Sequence, residues 1–184
     1  MDQELTLISN LEENICIYCG FCCDGTLFNW AKIDKEESLD HLTELNFSSY
    51  NDTKIFTQPC GYLIDCKCSI YNSSSLKRPN VCGEFKCKLL RKIEKQKVTS
   101  SESIEVIEKT KKMIQESNVL IMDAFPDLAK LSSSMKIKSI KTKLENSDDK
   151  QFFRKQFGNV LLKIFILENW LDKHFRFGKI KKEY

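Results

Sequence analysis

The hydrophobic pattern is most regular near the end of the chain, where apolar residues recur at three- and four-residue steps. This stripe consists of Phe153, Phe157, Val160, Leu161, Ile164, Leu167, Leu171 and Phe175. Such a period is typical of an amphipathic α-helix with one buried face. Asp148 or Asp149 is suited to cap its start, and Gly178 is placed to end it. We therefore predict a long helix whose stripe is core, on which the earlier elements pack.

A second helix is predicted in the middle of the chain. Thr99 and Glu102 have the spacing of a capping box, and Ile104, Ile107 and Ile114 share one side of the helix predicted over 100–117. The apolar run at 119–125 either prolongs this helix or packs separately. Basic residues 88–98 are predicted to continue as a helix from the last cysteine, whereas 135–144 has too little apolar surface for an assignment.

The first half of the chain has shorter patterns. Alternating apolar residues predict strands at 26–33 and 54–58, and the polar run 48–53 reads as a loop. A helix is predicted over 35–46, because Leu39, Leu42 and Leu45 fall on one face and Asp34 with Glu37 has capping-box spacing. Residues 2–10 are predicted to form a short helix.

Nine cysteines lie between positions 16 and 87, and none follows. Eight of them read as two groups of four, and the ninth, Cys66, lies two residues before Cys68. The groups are Cys16, Cys19, Cys22 and Cys23, then Cys60, Cys68, Cys82 and Cys87. This crowding has three explanations, namely a disulfide framework, a metal site or redox catalysis.

The cysteine spacing favours metal. Cys16, Cys19 and Cys22 recur at every third residue, as in chains that curl around zinc or around one face of an iron–sulfur cube, and Gly20 permits the bend. Neighbours such as Cys22 and Cys23 are bridged by a disulfide only with strain. The second group has few residues that form a core, so bound metal would stabilise its fold. We predict all eight as metal ligands.

Composition and charge limit the partners and the cellular location that we expect. The net charge of +3, with 30% charged residues in 184, indicates no general affinity for polyanions and gives no specific nucleic-acid signal. The first 14 residues lack the pattern of a signal peptide, and the longest apolar run, 160–167, is too short to cross a bilayer. A cytoplasmic location with no membrane association is therefore expected, and thiols stay reduced there.

The order of the cysteines and their neighbours resembles the YkgJ-type cysteine-cluster family, a family described by zinc or iron chelation. The matching residues are Cys16, Cys19, Cys22, Cys23, Cys60, Leu63, Cys68, Ile70, Tyr71, Arg78, Pro79, Cys82, Phe85 and Cys87. The resemblance covers roughly 16–87 and leaves Cys66 outside the pattern. Flagellin lysine N-methylases, which are longer proteins, carry a similar module with an iron–sulfur cluster. The resemblance implies metal chelation here.

The metal and its purpose stay open at this point. Thiolates suit an iron–sulfur cluster, such as [4Fe–4S], or zinc, and eight ligands would serve one cluster plus one zinc, two zincs, or one cluster with spare thiols. The favoured function is a metal-chelating protein acting in redox, metal handling or scaffolding. One alternative is an enzyme similar to the protein-lysine N-methylases, although no glycine-rich loop after a strand supplies a site for the methyl donor. The other is an interaction module that presents its helices to a protein partner through structural zinc.

Five other residues are candidates for a role at the metal site. Arg78 either neutralises charge near the thiolates or simply flanks a turn, and Tyr71 and Phe85 are expected to shield the site from water. His41 and His174 are expected to be surface or core residues rather than ligands. The predicted fold class is α+β and mostly helical. It comprises a small metal-stapled cysteine-rich module with short strands, 1–98, packed on a helical C-terminal extension, 99–184.

Overall fold

The computed structural model describes residues 15–177, and its architecture is mixed α and β with about half of the chain helical. The predicted helix at 2–10 and Gly178 lie outside the described residues. In order, the elements are α1 (Ile15–Cys19), β1 (Trp30–Lys32), β2 (Phe47–Tyr50), β3 (Thr53–Thr57), β4 (Leu63–Ile64), β5 (Lys67–Cys68), α2 (Asn80–Glu84), α3 (Lys88–Glu94), α4 (Ser100–Ala124), a 3-10 turn (Pro126–Leu128), α5 (Ser133–Glu145) and α6 (Lys150–His174). The α+β class is confirmed.

The two long helices α4 and α6 pack against each other and organise the larger core. The predicted capping box begins α4, with the Glu102 amide donating to Thr99 Oγ1 at 3.2 Å and the Thr99 amide to the Glu102 carboxylate at 2.7 Å. The apolar run 119–125 prolongs this helix as far as Ala124. Asp149 caps α6 by accepting a 2.8 Å hydrogen bond from the Phe152 amide.

Helix α5 covers residues 135–144, which have too little apolar surface for an assignment from sequence. Ile137 and Ile140 are buried in the larger core, and Lys136 is buried as well. The Lys136 ammonium donates to the Asn118 side chain on α4 at 3.3 Å. The helix therefore packs with a narrow apolar face, supplemented by a lysine whose polar end is paired.

The strands form two small antiparallel sheets, one with the order β1-β3-β2 and one with β4-β5. The strand prediction at 54–58 is confirmed by β3, and β1 occupies the end of the predicted 26–33 strand. The predicted loop at 48–53 is wrong, because β2 pairs with β3 through the registers Phe47↔Phe56 and Tyr50↔Thr53. Every residue of β2 is exposed, so this edge strand has no buried face to give an alternating pattern.

The predicted helix at 35–46 is also wrong, although its three leucines are buried. Successive turns bring them inside, with the Leu42 amide donating to the Leu39 carbonyl at 2.9 Å and the Leu45 amide to Leu42 at 3.2 Å. Apolar residues spaced three apart are buried by such turns as well as by one face of a helix. Glu37, which was expected to complete a capping box, instead accepts the Asn80 amide at 2.8 Å at the start of α2.

Two hydrophobic cores result, and the cysteines lie along both. The larger core joins the helices to the first cysteine run through Ile15, Phe21 and Leu27. The smaller core lies beneath the three-stranded sheet and consists of Ile33, Leu39, Leu42, Leu45, Phe56, Tyr62 and Ile70.

Candidate metal centre

The first cysteine run is a short helix followed by a tight turn. Cys16 and Cys19 lie in α1, and the chain then reverses at Gly20, whose φ of 71° is in the left-handed region that glycine adopts without strain. The Cys23 amide donates to the Gly20 carbonyl at 2.9 Å, which closes the turn. This local geometry confirms the bend that the spacing predicted at Gly20.

The remaining four predicted cysteines come from four separate pieces of chain. Cys60 follows β3, Cys68 ends β5, and Cys82 lies within α2. Cys87 is the N-cap of α3, where its sulfur accepts a hydrogen bond from the Leu90 amide at 3.4 Å. Each of these positions is fixed by backbone hydrogen bonding of the element that it joins.

All eight predicted cysteines line one cavity of about 260 Å³. The space that a single water needs is about 10–15 Å³, so this cavity has room for a group much larger than one ion. Apolar side chains, among them Phe28, Tyr71 and Phe85, line the rest of the cavity, and Cys66 lies outside it on an exposed turn. The structure therefore brings together the whole predicted set and leaves out the ninth cysteine.

The electrostatic effects of the thiols on one another indicate two sets of four, which are linked through one pair of neighbours, Cys22 and Cys23. The pKa of Cys22 is raised first by burial and then by the charges that Cys19, Cys87, Cys23 and Cys16 would carry as thiolates. The pKa of Cys19 and that of Cys16 respond to Cys87 as well. We call Cys16, Cys19, Cys22 and Cys87 the first tetrad.

The second tetrad consists of Cys23, Cys60, Cys68 and Cys82. After burial, the pKa of Cys23 is raised by Cys60, then Cys82, then Cys68, and that of Cys82 by Cys60 and Cys68. The predicted grouping by sequence order thus differs from the spatial grouping by one exchange, since Cys23 and Cys87 change places. The signal for this exchange was the adjacency of Cys22 and Cys23, because successive side chains tend to point in different directions.

Packing supports this division for five of the eight residues. Cys19, Cys22 and Cys87 pack against the larger core, whereas Cys60 and Cys68 pack against the smaller one. The Cys60 amide also donates to the Cys23 carbonyl at 2.8 Å, which ties Cys23 to the second stretch of chain. Cys16 shares helix α1 with Cys19, and Cys82 follows Val81, which packs against the smaller core.

All nine cysteines are free, so the disulfide alternative has no pair in this fold. Within residues 15–177, no three His, Cys, Asp or Glu side chains are grouped closely enough to hold one metal ion. Tetrahedral zinc with Zn–S bonds of about 2.3 Å requires its sulfurs within about 4 Å of each other. A four-iron cube places each thiolate on a different iron, so its sulfurs stand further apart. The cysteines of the described residues therefore do not lie as close together as one zinc ion requires.

Burial keeps these thiols protonated in the absence of a cation. Desolvation is the main cause that raises the pKa of Cys19, Cys22 and Cys23, and it raises the pKa of Cys82 to about 12. Reactive nucleophilic cysteines have lowered pKa values, so the arrangement does not favour thiolate catalysis. Metal binding would instead displace the protons and supply the positive charge that buried thiolates need.

Arg78 is a cationic side chain that lines the cavity and acts on a thiol of each tetrad. Its guanidinium lies over the Tyr71 ring at 4.0 Å from the centroid, and it lines the cavity. Its charge lowers the pKa of Cys16 in the first tetrad and of Cys82 in the second, against the stronger effect of burial. Of the two roles weighed for Arg78, charge compensation near the thiols is the one that this position supports.

The cavity also has an aromatic wall that the sequence analysis predicted only in part. Phe85 meets Phe28 edge to ring with centroids 4.8 Å apart, and both line the cavity. The sequence predicts Phe28 only as part of a strand, and that pattern does not reveal its contact with Phe85. His41 pairs with the Lys77 carbonyl at 3.0 Å and His174 stacks on Trp170, so both histidines lie away from the cysteines.

Compared with models of known protein families, with curated proteins and with solved structures, the chain has no match. In the described part of the chain, no helix has both the length and the hydropathy needed to cross a bilayer.

Proposed function

We propose that the chain is a metal-chelating cysteine-cluster protein that binds iron–sulfur through the thiolates of Cys16, Cys19, Cys22, Cys23, Cys60, Cys68, Cys82 and Cys87. The observation that supports this most strongly is their convergence on one cavity from five separate pieces of chain. The eight cysteines are not paired as disulfides, and the pKa values of Cys22 and Cys23 are raised by burial rather than lowered as a reactive nucleophile's would be, which leaves metal binding as the use that this cavity supports best. Membership of the YkgJ-type family is part of the same proposal.

We favour iron–sulfur over zinc because Cys16, Cys19 and Cys22 recur at two-residue spacing and because the cavity that the eight cysteines line has a volume of about 260 Å³. When bound, such a cluster supplies one-electron redox chemistry or a rigid staple for the surrounding loops. The eight cysteines would supply the thiolate ligands, Arg78 would offset negative charge, and Tyr71, Phe28 and Phe85 would exclude water. We propose that the first half of the chain is metal-stapled in this way.

The proposed cellular location follows from the chemistry of free thiols and iron–sulfur clusters. Free thiols and oxygen-sensitive clusters persist in a reducing compartment, so we propose a cytoplasmic location. The proposed role is in redox or metal handling with a protein partner, and no membrane or nucleic-acid role is proposed.

Anaerobic purification followed by iron, sulfide and zinc analysis and a visible absorption spectrum tests the proposal. We expect a brown protein with stoichiometric iron and sulfide, and we expect Cys19→Ser or Cys82→Ser to lose metal and solubility together. A colourless protein with stoichiometric zinc would point to the structural-zinc interaction module. Full metal content in both variants would remove these residues from the ligand set, and a protein free of any metal would overturn the proposed function.

A further inference from the structure

The division of the eight thiols into two tetrads has a consequence that rests on the proposed function and goes beyond it. We propose that the chain holds two separate metal centres, one on Cys16, Cys19, Cys22 and Cys87 and the other on Cys23, Cys60, Cys68 and Cys82. The two centres share no ligand and are joined through the Cys22–Cys23 peptide bond.

Packing carries the first step. Three sulfurs of the first tetrad rest on the core formed with the helices, where Ile15, Phe21 and Leu89 are buried. Two sulfurs of the second tetrad rest on the core beneath the sheet, with Ile70 and Val81 beside them. A single centre would have to draw sulfurs away from one core or the other, which would cost the apolar contacts that each set makes.

Backbone geometry carries the second step. Cys22 and Cys23 are neighbours, yet the Cys23 carbonyl accepts the Cys60 amide at 2.8 Å while Cys22 packs with Cys19 and Cys87 in the larger core. In two-cluster ferredoxins a run of three cysteines at two-residue spacing serves one cluster, and a fourth cysteine after the run ligates the other cluster. Residues 16–23 would divide their ligands in the same way, except that the fourth cysteine comes directly after the third.

Cavity size and charge carry the third step. The cavity of about 260 Å³ is lined by both tetrads rather than by one. Each tetrad would bring four thiolates, and the Arg78 guanidinium, which lines the same cavity over the Tyr71 ring, would offset part of that charge.

Paired substitutions distinguish this division from the division by sequence order. Cys19→Ser with Cys87→Ser removes two ligands of one proposed centre, and Cys23→Ser with Cys60→Ser removes two ligands of the other. In the fraction that stays soluble, each of these double variants should retain about half of the wild-type metal per chain, whereas Cys19→Ser with Cys23→Ser should lose nearly all of it. The reverse result, in which the Cys19/Cys87 pair loses everything and the Cys19/Cys23 pair retains half, would overturn the assignment in favour of sequence order.

The wild-type protein gives a test that does not depend on the variants folding. We expect about eight iron and eight sulfide per chain, as two Cys₄-bound cubes require, and magnetic coupling between two paramagnetic centres in the electron paramagnetic resonance spectrum of the dithionite-reduced protein. About two zinc per chain would also support two centres, while correcting the metal. About four iron per chain without zinc, together with a single uncoupled signal at full reduction, would overturn the two-centre inference and leave the proposed function standing. Absence of metal would overturn both.

Discussion

The amide of Cys60 donates a 2.8 Å hydrogen bond to the carbonyl of Cys23, joining two cysteines that lie 37 positions apart in the chain. Cys23 therefore lies with the second group of cysteines rather than with the run in which it occurs. This single contact explains why the order of the cysteines along the chain is not their grouping in space.

Cys66 is expected to be dispensable for metal binding. It is exposed on the turn between β4 and β5, outside the cavity, and its φ of 62° places its backbone in the left-handed region. Cys66→Ser should retain the wild-type metal content, measured by elemental analysis after anaerobic purification. The matched control is Cys68→Ser, two residues further on, which removes a proposed ligand and should lose metal. Equal losses from the two variants would contradict this prediction.

The sequence predicted the helical half of the fold well, because its signals are local. The Thr99–Glu102 capping box and the α6 stripe each specify a helix within a few turns, and the structure places both as expected. The failures at 35–46 and 48–53 have a common cause. Turns with buried leucines and an exposed edge strand are specified by their distant partners, such as β3 and Asn80, which local spacing does not reveal.

The candidate site shows the same contrast between local and distant information. The set of eight cysteines and the exclusion of Cys66 followed from motif spacing and from the family resemblance. Their division did not, because it depends on which core each sulfur rests on. Cys87 joins the first tetrad only because the start of α3 is held beside the first run, where the Lys88 amide donates to the Phe175 carbonyl at 3.0 Å.

Gly61, next to Cys60, is expected to tolerate no side chain. A Cβ there would lie 1.9 Å from the Glu44 carbonyl oxygen, so the backbone would have to move. Gly61→Ala should lower the free energy of unfolding by about 3 kcal/mol, as overpacking does in other cores, measured by urea unfolding of the purified protein. Gly83→Ala is the control, because no atom lies within 4 Å of its Cβ and it sits in α2. There alanine should stabilise by up to about 1 kcal/mol. Similar losses from both variants would show that crowding is not the cause.

Arg78 is expected to raise the reduction potential of the bound clusters. Reduction adds negative charge, and a guanidinium near both tetrads stabilises the reduced form. Arg78→Gln should therefore lower the potential by about 40 mV, which corresponds to about 1 kcal/mol for one electron, in an anaerobic redox titration. Arg78→Lys preserves the charge and should shift the potential less, although it loses the planar stacking on Tyr71. If Arg78→Lys lowered the potential as much as Arg78→Gln, the effect would come from the stacking on Tyr71 rather than from the charge, and this role would be contradicted.

His174 is expected to make stability fall as the pH drops below its ordinary titration range. Burial against Trp170 is the main cause that lowers its pKa below 6.5, and the nearby ammonium groups of Lys173, Lys92 on α3 and Lys109 on α4 add to this effect. Its Nε2 is buried and has no hydrogen-bond partner among residues 15–177. The folded state thus resists the proton that the unfolded state accepts. The contribution is complete above pH 6.5 and is lost as the pH falls through the lowered pKa.

The measurement is the free energy of unfolding between pH 7.5 and pH 5, for the wild type and for His174→Gln at equal metal content. Glutamine does not titrate, so its curve should be flatter than that of the wild type over this interval. The carboxylates with lowered pKa values, Glu108 and Glu116, titrate below it and should contribute equally to both proteins. Parallel curves would show that His174 takes up its proton as readily in the folded chain as in the unfolded one, because linkage then gives it no part in the pH dependence.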